Sequence, residues 1–260
     1  MGELTKYQKF DENFSLQGKT AIITGSGSGI GYEIAKMFAR KGADVVSVDQ
    51  KPSDDLQAYV EAQGVHYLEI CGNLLDADFV DHVITDTVVE KFGKIDVLVN
   101  CAGVGILENL EESTRKVWDL TIGVNLTAGV HLALAAGKEM KKTGGGSIIN
   151  IASQAGIVAL EGHLSYGTAK AAFIQATKQI ALEWGQYGIR ANCISPEVIL
   201  TPMGEMNWNN EKGEEFKRRI PSRRFGYPQE VAACAVFLAS DASSLCNGSN
   251  LVIDGGYTIQ

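Results

Sequence analysis

A doubly wound α/β fold, with about seven parallel strands and helices on both faces of the sheet, is predicted by three features of this 260-residue chain. Short apolar runs suited to strands alternate with longer stretches at helical spacing, the pattern of repeated strand-helix-strand units. Short apolar strand runs such as Asp96-Val97-Leu98-Val99 suit strands buried on both sides. The first of them runs into a glycine-rich turn and then a helix, an arrangement that brings bare backbone N–H groups and a helix N-terminus up to a phosphate.

The first strand is expected over 20–24, where Ala21-Ile22-Ile23 is flanked by threonines. Gly25, Gly29 and Gly31 then space a TGxxxGxG turn with Ser28 and Ile30 inside it, and Ile34, Met37 and Phe38 recur at helical spacing, so a helix is expected over 29–41. Strands at 44–49, 65–70, 95–99, 146–152, 189–195 and 250–254 follow, interleaved with helices near 53–63, 76–92, 113–141, 165–186 and 228–239. Right-handed crossovers fix the winding, and such sheets bind ligands at the carboxyl ends of their strands. Gly25, Asn100, Ser153 and Pro196 all fall just after strands. The segment 198–227 breaks the rhythm with Asn207, Trp208, Asn209, Asn210 and Glu211, and is expected to be a substrate lid on a single domain spanning 1–260.

Tyr166 and Lys170 stand four residues apart in a helix-like stretch, so both side chains share one face. A tyrosine that trades protons near neutrality needs its phenolate favoured by roughly 3 pH units, about 4 kcal/mol, and a fixed cation supplies that kind of shift. Asp49 ends the second strand, 18 residues beyond Gly31. A carboxylate there accepts hydrogen bonds from ribose hydroxyls and repels a 2′-phosphate, although it can also open the turn Gln50-Lys51-Pro52.

With these motifs the chain resembles the short-chain dehydrogenase/reductase family, in the branch carrying TGxxxGxG and YxxxK, over nearly its whole length. Asn100-Cys101-Ala102-Gly103 is similar to that family's NNAG segment with cysteine for the second asparagine, Asn125 matches its helix asparagine, and Ser153, thirteen residues before Tyr166, matches its serine. The resemblance implies a Rossmann-type fold and reversible hydride transfer between nicotinamide C4 and a carbinol carbon. Tyr166 would take the hydroxyl proton, Lys170 would lower the tyrosine's pKa and hold the nicotinamide ribose, Ser153 would donate to the substrate oxygen, and Asn125 would support a water linking Lys170 to solvent. The implied cofactor bed is Gly25, Ser28, Gly29, Ile30, Gly31, Asp49, Asn73, Leu74, Asn100, Ala102, Gly103, Tyr166, Lys170, Pro196, Ile199 and Thr201, with Thr201 on the carboxamide and Asn73 where the family often has aspartate. Ser28 occupies the place of a basic residue in NADP-preferring relatives, which together with Asp49 favours NAD over NADP.

The chain departs from the pattern at Pro196-Glu197, where relatives commonly have Pro-Gly. Glu197 is expected either to join Ser153, Gln154, His163 and Tyr166 around a polyhydroxylated substrate or to point to solvent. A sugar alcohol or small polyol is the favoured substrate, in keeping with the polar lid and the ending Asp254-Gly255-Gly256-Tyr257-Thr258. The alternatives are a 3-oxoacyl-carrier-protein reductase, a dehydrogenase of hydroxysteroids or other secondary alcohols lined by Met203, Met206 and Trp208, and a nucleotide-sensing binding protein without chemistry. The family's subunit-pairing helices correspond to 113–141 and 165–186, implying a homotetramer or homodimer. Their apolar stripes, Leu132, Leu134, Ala135 and Ala136 on one and Ala172, Phe173, Ala176 and Ile180 on the other, serve equally well as core.

Composition excludes several classes. A net charge of −8 argues against a nucleic-acid surface, and the cluster Lys217-Arg218-Arg219 with Arg223-Arg224 is short enough to be a solvated face. Five cysteines without a CxxC suggest reduced thiols and no metal site. The first fifteen residues have no apolar stretch of the kind an export signal needs, Lys6 spoils a myristoylation start at Gly2, and no run of eighteen apolar residues occurs, so a cytoplasmic protein without a membrane partner is expected.

Overall fold

The structure, a computed structural model, describes residues 14–260, and the readings made on the first thirteen residues concerning export and myristoylation lie outside the described residues. Among the described residues seven strands are found: β1 Thr20–Thr24, β2 Asp44–Asp49, β3 Tyr67–Cys71, β4 Val97–Asn100, β5 Gly146–Ile151, β6 Ile189–Pro196 and β7 Asn250–Ile253. They pair in parallel in the order β3-β2-β1-β4-β5-β6-β7, so the chain winds outward from β1 in one direction and resumes at β4 in the other. The expected fold class is therefore met, with strand ends within two residues of those anticipated.

The helices between the strands are α1 Gly29–Arg40, α2 Asp54–Glu61, α3 Ile84–Phe92, α4 Arg115–Ile122, α5 Ala128–Thr143, α6 Leu164–Trp184, α7 Pro202–Trp208, α8 Glu211–Arg219 and α9 Pro228–Ala239. Neighbouring residues of a strand point to opposite faces, and here both faces are core. Ala21 and Ile23 pack with Ile34 and Phe38 of α1 and Val231 and Ala235 of α9. Ile22, between them, packs with Leu132, Ala136 and Met140 of α5 and Ile180 of α6. Burying a side chain of this size stabilises by about 2 kcal/mol, which is why both faces of such strands are mainly apolar.

The stretch expected as one helix over 113–141 is α4 and α5 joined by a π-helical turn, Gly123–Thr127, whose extra residue carries Asn125 into the core. Residues 115–143 are long and apolar enough to cross a bilayer, yet Leu132, Ala133, Ala136 and Met140 are buried against the sheet. The stripes on α5 and α6 are likewise largely intramolecular: Leu132, Ala135, Ala136, Phe173 and Ile180 are buried within the chain, while Leu134 faces outward.

The expected lid is two helices. Thr201 caps α7 by accepting from the Gly204 N–H at 3.1 Å, with Pro202 in the first turn, and Asn210 caps α8 by accepting from the Gly213 N–H at 3.0 Å. Phe216 of α8 packs with Val198, Ile220, Phe225, Leu160, Trp208 and Tyr257, a small core of its own over the carboxyl end of β6. The basic cluster on and after α8 is solvated as expected, with Lys217 paired to Glu214, Arg219 to Glu215 and Arg224 to Glu230.

Candidate active site

A cavity of about 450 Å³ opens along the carboxyl edge of the sheet, from Asp49 and Asn73 at one end to His163 and Trp208 at the other. It straddles the point between β1 and β4 where the winding reverses, the place where such sheets form a crevice.

Glycine is required at the β1–α1 turn. Gly25 has φ of 68°, and a Cβ on it would lie 2.7 Å from the Ala102 Cα; a Cβ on Gly31 would lie 2.2 Å from the Gly25 carbonyl oxygen. Ser28, at the N-cap of α1, makes no capping bond with its side chain, so first-turn N–H groups are left for an acceptor in the cavity. Asp49 opens the turn considered for it and is also held against the glycine loop. Its Oδ1 accepts from the Gln50 N–H at 2.7 Å and opens the turn, while Oδ2 accepts from the Gly27 N–H at 2.9 Å and pins the carboxylate to the wall of the glycine loop. These groups fit a dinucleotide: close backbone approach for a pyrophosphate and a fixed carboxylate for a ribose diol.

At the other end, Lys170 is 4 % exposed and its Nζ donates to the Ile151 carbonyl at 2.7 Å, 5.7 Å from the Tyr166 ring centroid. Burial draws the Lys170 ammonium down to about 8. The Tyr166 phenol is pushed up by burial, an effect that the hydrogen bond with Ser153 opposes. Ser153 thus favours the phenolate, while Lys170, the cation expected to do so, holds its Nζ over the same ring with a bond to the Ile151 carbonyl.

Asn125 lies behind the cavity wall. Its Oδ1 accepts from the Val104 N–H at 2.7 Å and its Nδ2 donates to the Val104 carbonyl at 2.8 Å. The side-chain amide thereby locks the loop after β4. A Cβ on Gly103 would come within 3.2 Å of that same Oδ1, so the glycine is needed for the lock. Asn100 is a correction: it does not line the cavity, because its Nδ2 donates to the Gly129 carbonyl and to Asn150 Oδ1, both at 2.9 Å, tying β4 to α5 and β5. The remaining cofactor positions, Gly25, Ser28, Gly29, Ile30, Gly31, Asp49, Asn73, Leu74, Ala102, Gly103, Pro196, Ile199 and Thr201, all line it.

Ser153, Gln154, His163 and Glu197 converge on the same end of the cavity as Tyr166. His163 donates from Nδ1 to the Glu161 carbonyl at 2.7 Å, which leaves Nε2 as an acceptor, and burial lowers its pKa and keeps the ring neutral. Gln154 is 2 % exposed, with Oε1 lacking a protein partner. Glu197 does not point to solvent: it is 9 % exposed. Met206, by contrast, is 76 % exposed and off the cavity, so an apolar pocket lined by it is ruled out, while Met203 and Trp208 do line the cavity.

Sequence reasoning missed Thr24, whose Oγ1 accepts from the N–H groups of Cys101 and Ala102 at 3.0 and 3.1 Å and so seats the loop after β4 on the end of β1. Asn207 was noted only as part of a polar lid; its Nδ2 donates to the Gly105 carbonyl at 3.3 Å and ties α7 to that loop. Cys101 lines the cavity with its thiol pushed up to about 12 by burial, which makes it an unreactive neighbour. Among the described residues no cluster of metal ligands occurs.

Comparison with known proteins follows the same lines. A family model described as enoyl-(acyl carrier protein) reductase matches residues 25–258. An NAD-dependent glycerol dehydrogenase of Listeria innocua is 43 % identical over 255 residues, covering 98 % of this chain and 99 % of its own length. A D-threitol dehydrogenase of Mycolicibacterium smegmatis is 45 % identical over 253 residues, covering 96 % of both. A solved structure assigned as an NAD(P)-dependent gluconate 5-dehydrogenase of Beutenbergia cavernae, holding NADP at low occupancy, is similar with a TM-score of 0.90 at 31 % identity, covering 95 % of this chain and 99 % of that one.

Proposed function

The chain belongs to the short-chain dehydrogenase/reductase family of NAD(P)-dependent oxidoreductases acting on CH–OH groups, and from that premise we propose that it is an NAD-dependent dehydrogenase of a small polyol or sugar alcohol. The observation that carries the substrate class is the polar wall beside Tyr166, where Gln154, His163 and Glu197 face one cavity end with hydrogen-bonding capacity the protein leaves unused. A glycerol and a D-threitol dehydrogenase among the relatives support the same class, and weigh against the 3-oxoacyl-carrier-protein reductase reading. A nucleotide sensor without chemistry has no use for Ser153, Tyr166 and Lys170 brought together.

When bound, the nicotinamide supplies the acceptor for the hydride that leaves the carbinol carbon. Ser153 and Tyr166 orient the carbinol oxygen, and Tyr166 takes its proton as the C–H bond breaks. Lys170, fixed by Ile151 and titrating near neutrality, holds the ribose and relays the proton onward. Asp49 sets the preference for NAD, since a 2′-phosphate would meet a carboxylate held in place by two backbone N–H groups. The helices of the 198–227 segment cover the substrate end of a single domain, and membership of the family supports a homodimer or homotetramer working in the cytoplasm.

The test is the initial rate of NADH and NADPH formation by purified protein over a panel of polyols, 3-hydroxyacyl thioesters and secondary alcohols. Fast NADH formation with a polyol is expected, abolished by Tyr166→Phe with cofactor binding retained. Activity confined to NADP and hydroxyacyl thioesters would overturn both the cofactor and the substrate assignment.

A further inference from the structure

Glu197 is a carboxyl group where a dehydrogenase cavity of this kind has no evident need of one. It follows Pro196 at the end of β6, and the backbone around it is clamped: the Gly226 N–H donates to the Val198 carbonyl at 3.0 Å and the Leu200 N–H to the Gly226 carbonyl at 2.9 Å. The side chain is 9 % exposed, lines the cavity that holds Ser153 and Tyr166, and keeps Oε2 without a hydrogen-bond partner. A buried oxygen left unpaired costs roughly 1–3 kcal/mol, so a group retained there is expected to meet its partner in a bound molecule.

The charged groups around it do not supply that partner. Asp254, beyond the end of β7, repels a Glu197 carboxylate, and Arg224 of the lid attracts it, but that guanidinium is held by two bonds to Glu230 at 2.8 and 2.6 Å. Backbone N–H groups of Val198 and Gly226 favour the ionised form, and burial outweighs them all, keeping the carboxyl protonated up to about 8. At neutral pH the group therefore both donates and accepts, as a hydroxyl does.

We propose that Glu197 is the specificity residue of this cavity, hydrogen-bonding a hydroxyl on the carbon next to the carbinol that Tyr166 and Ser153 address, so that vicinal diols are selected over monoalcohols. This rests on the polyol dehydrogenase reading and names the residue that enforces it. A cavity that pairs a substrate hydroxyl strongly rejects the analogue lacking it, because its own polar group is then left unpaired.

The test compares butane-2,3-diol with butan-2-ol, which share a carbon chain and differ by one hydroxyl. The wild type is expected to favour the diol by about 100-fold or more in kcat/KM. Glu197→Met should cut that preference at least tenfold, by raising KM for the diol and relieving the unpaired carboxyl that disfavours butan-2-ol, and Glu197→Gln should restore most of it. Substrate deepens the burial of the carboxyl, so KM for the diol relative to butan-2-ol, a ratio that cancels the titration of Lys170, should rise through pH 8 in the wild type and stay flat in Glu197→Gln. If the diol preference of Glu197→Met lies within twofold of wild type, or Glu197→Gln keeps the pH step, the inference fails while the polyol reading stands. If neither alcohol nor any polyol is oxidised and a 3-hydroxyacyl thioester is, the polyol reading fails and the inference with it.

Discussion

Glu197 couples the stability of the protein to pH as well as its chemistry to substrate. Its folded pKa of about 8 lies above its ordinary value of 4.5, so between those values the folded state binds a proton that the unfolded state has lost. Stability from this group is therefore fully present below about pH 4.5 and is lost as pH rises through 8, with an upper bound on the order of 5 kcal/mol. Thermal unfolding of wild type and Glu197→Gln, compared from pH 5 to pH 9, should show the variant gaining on the wild type as pH rises. Parallel curves would mean that the carboxyl is solvated. The departure from Pro-Gly made this residue visible in the sequence, but its burial was not visible, because Asp254 and Arg224 reach it from distant parts of the chain.

At the level of elements, helix faces explain positions that a motif search passes over. Gly137 on α5 faces Trp184 at the end of α6, and a Cβ there would lie 1.9 Å from the indole. Gly137→Ala gains helix propensity but overpacks that contact, and overpacking of this kind costs typically about 1–3 kcal/mol. A fall in Tm of about 5 °C is expected by calorimetry, with KM for the cofactor unaffected; an unchanged or raised Tm would mean that the two helices separate at little cost. The π-helical turn that carries Asn125 belongs to the same scale. A continuous apolar periodicity over 113–141 is legible as helix, whereas the one extra residue in the turn is fixed only once Asn125 bonds Val104 across the loop after β4.

Across the whole molecule the five cysteines are free, so no covalent link ties the two halves of the sheet together. Unfolding should then be indifferent to reductant, with Tm in excess dithiothreitol within about 1 °C of that without it; a larger fall would reveal a disulfide that the fold does not call for. The sequence by itself determined the seven strands, their parallel winding, the TGxxxGxG turn and the placing of Tyr166 and Lys170 on one helix face, because each is written in neighbouring residues and depends on local geometry. Tertiary structure alone decided that Asn100 turns to Gly129 and Asn150 rather than to the cavity, that a hydrogen bond with Ser153 opposes the burial of the Tyr166 phenol, and that Glu197 is buried beside them. Desolvation and hydrogen-bond partners come from side chains far apart in sequence, and those meet only when the sheet has formed.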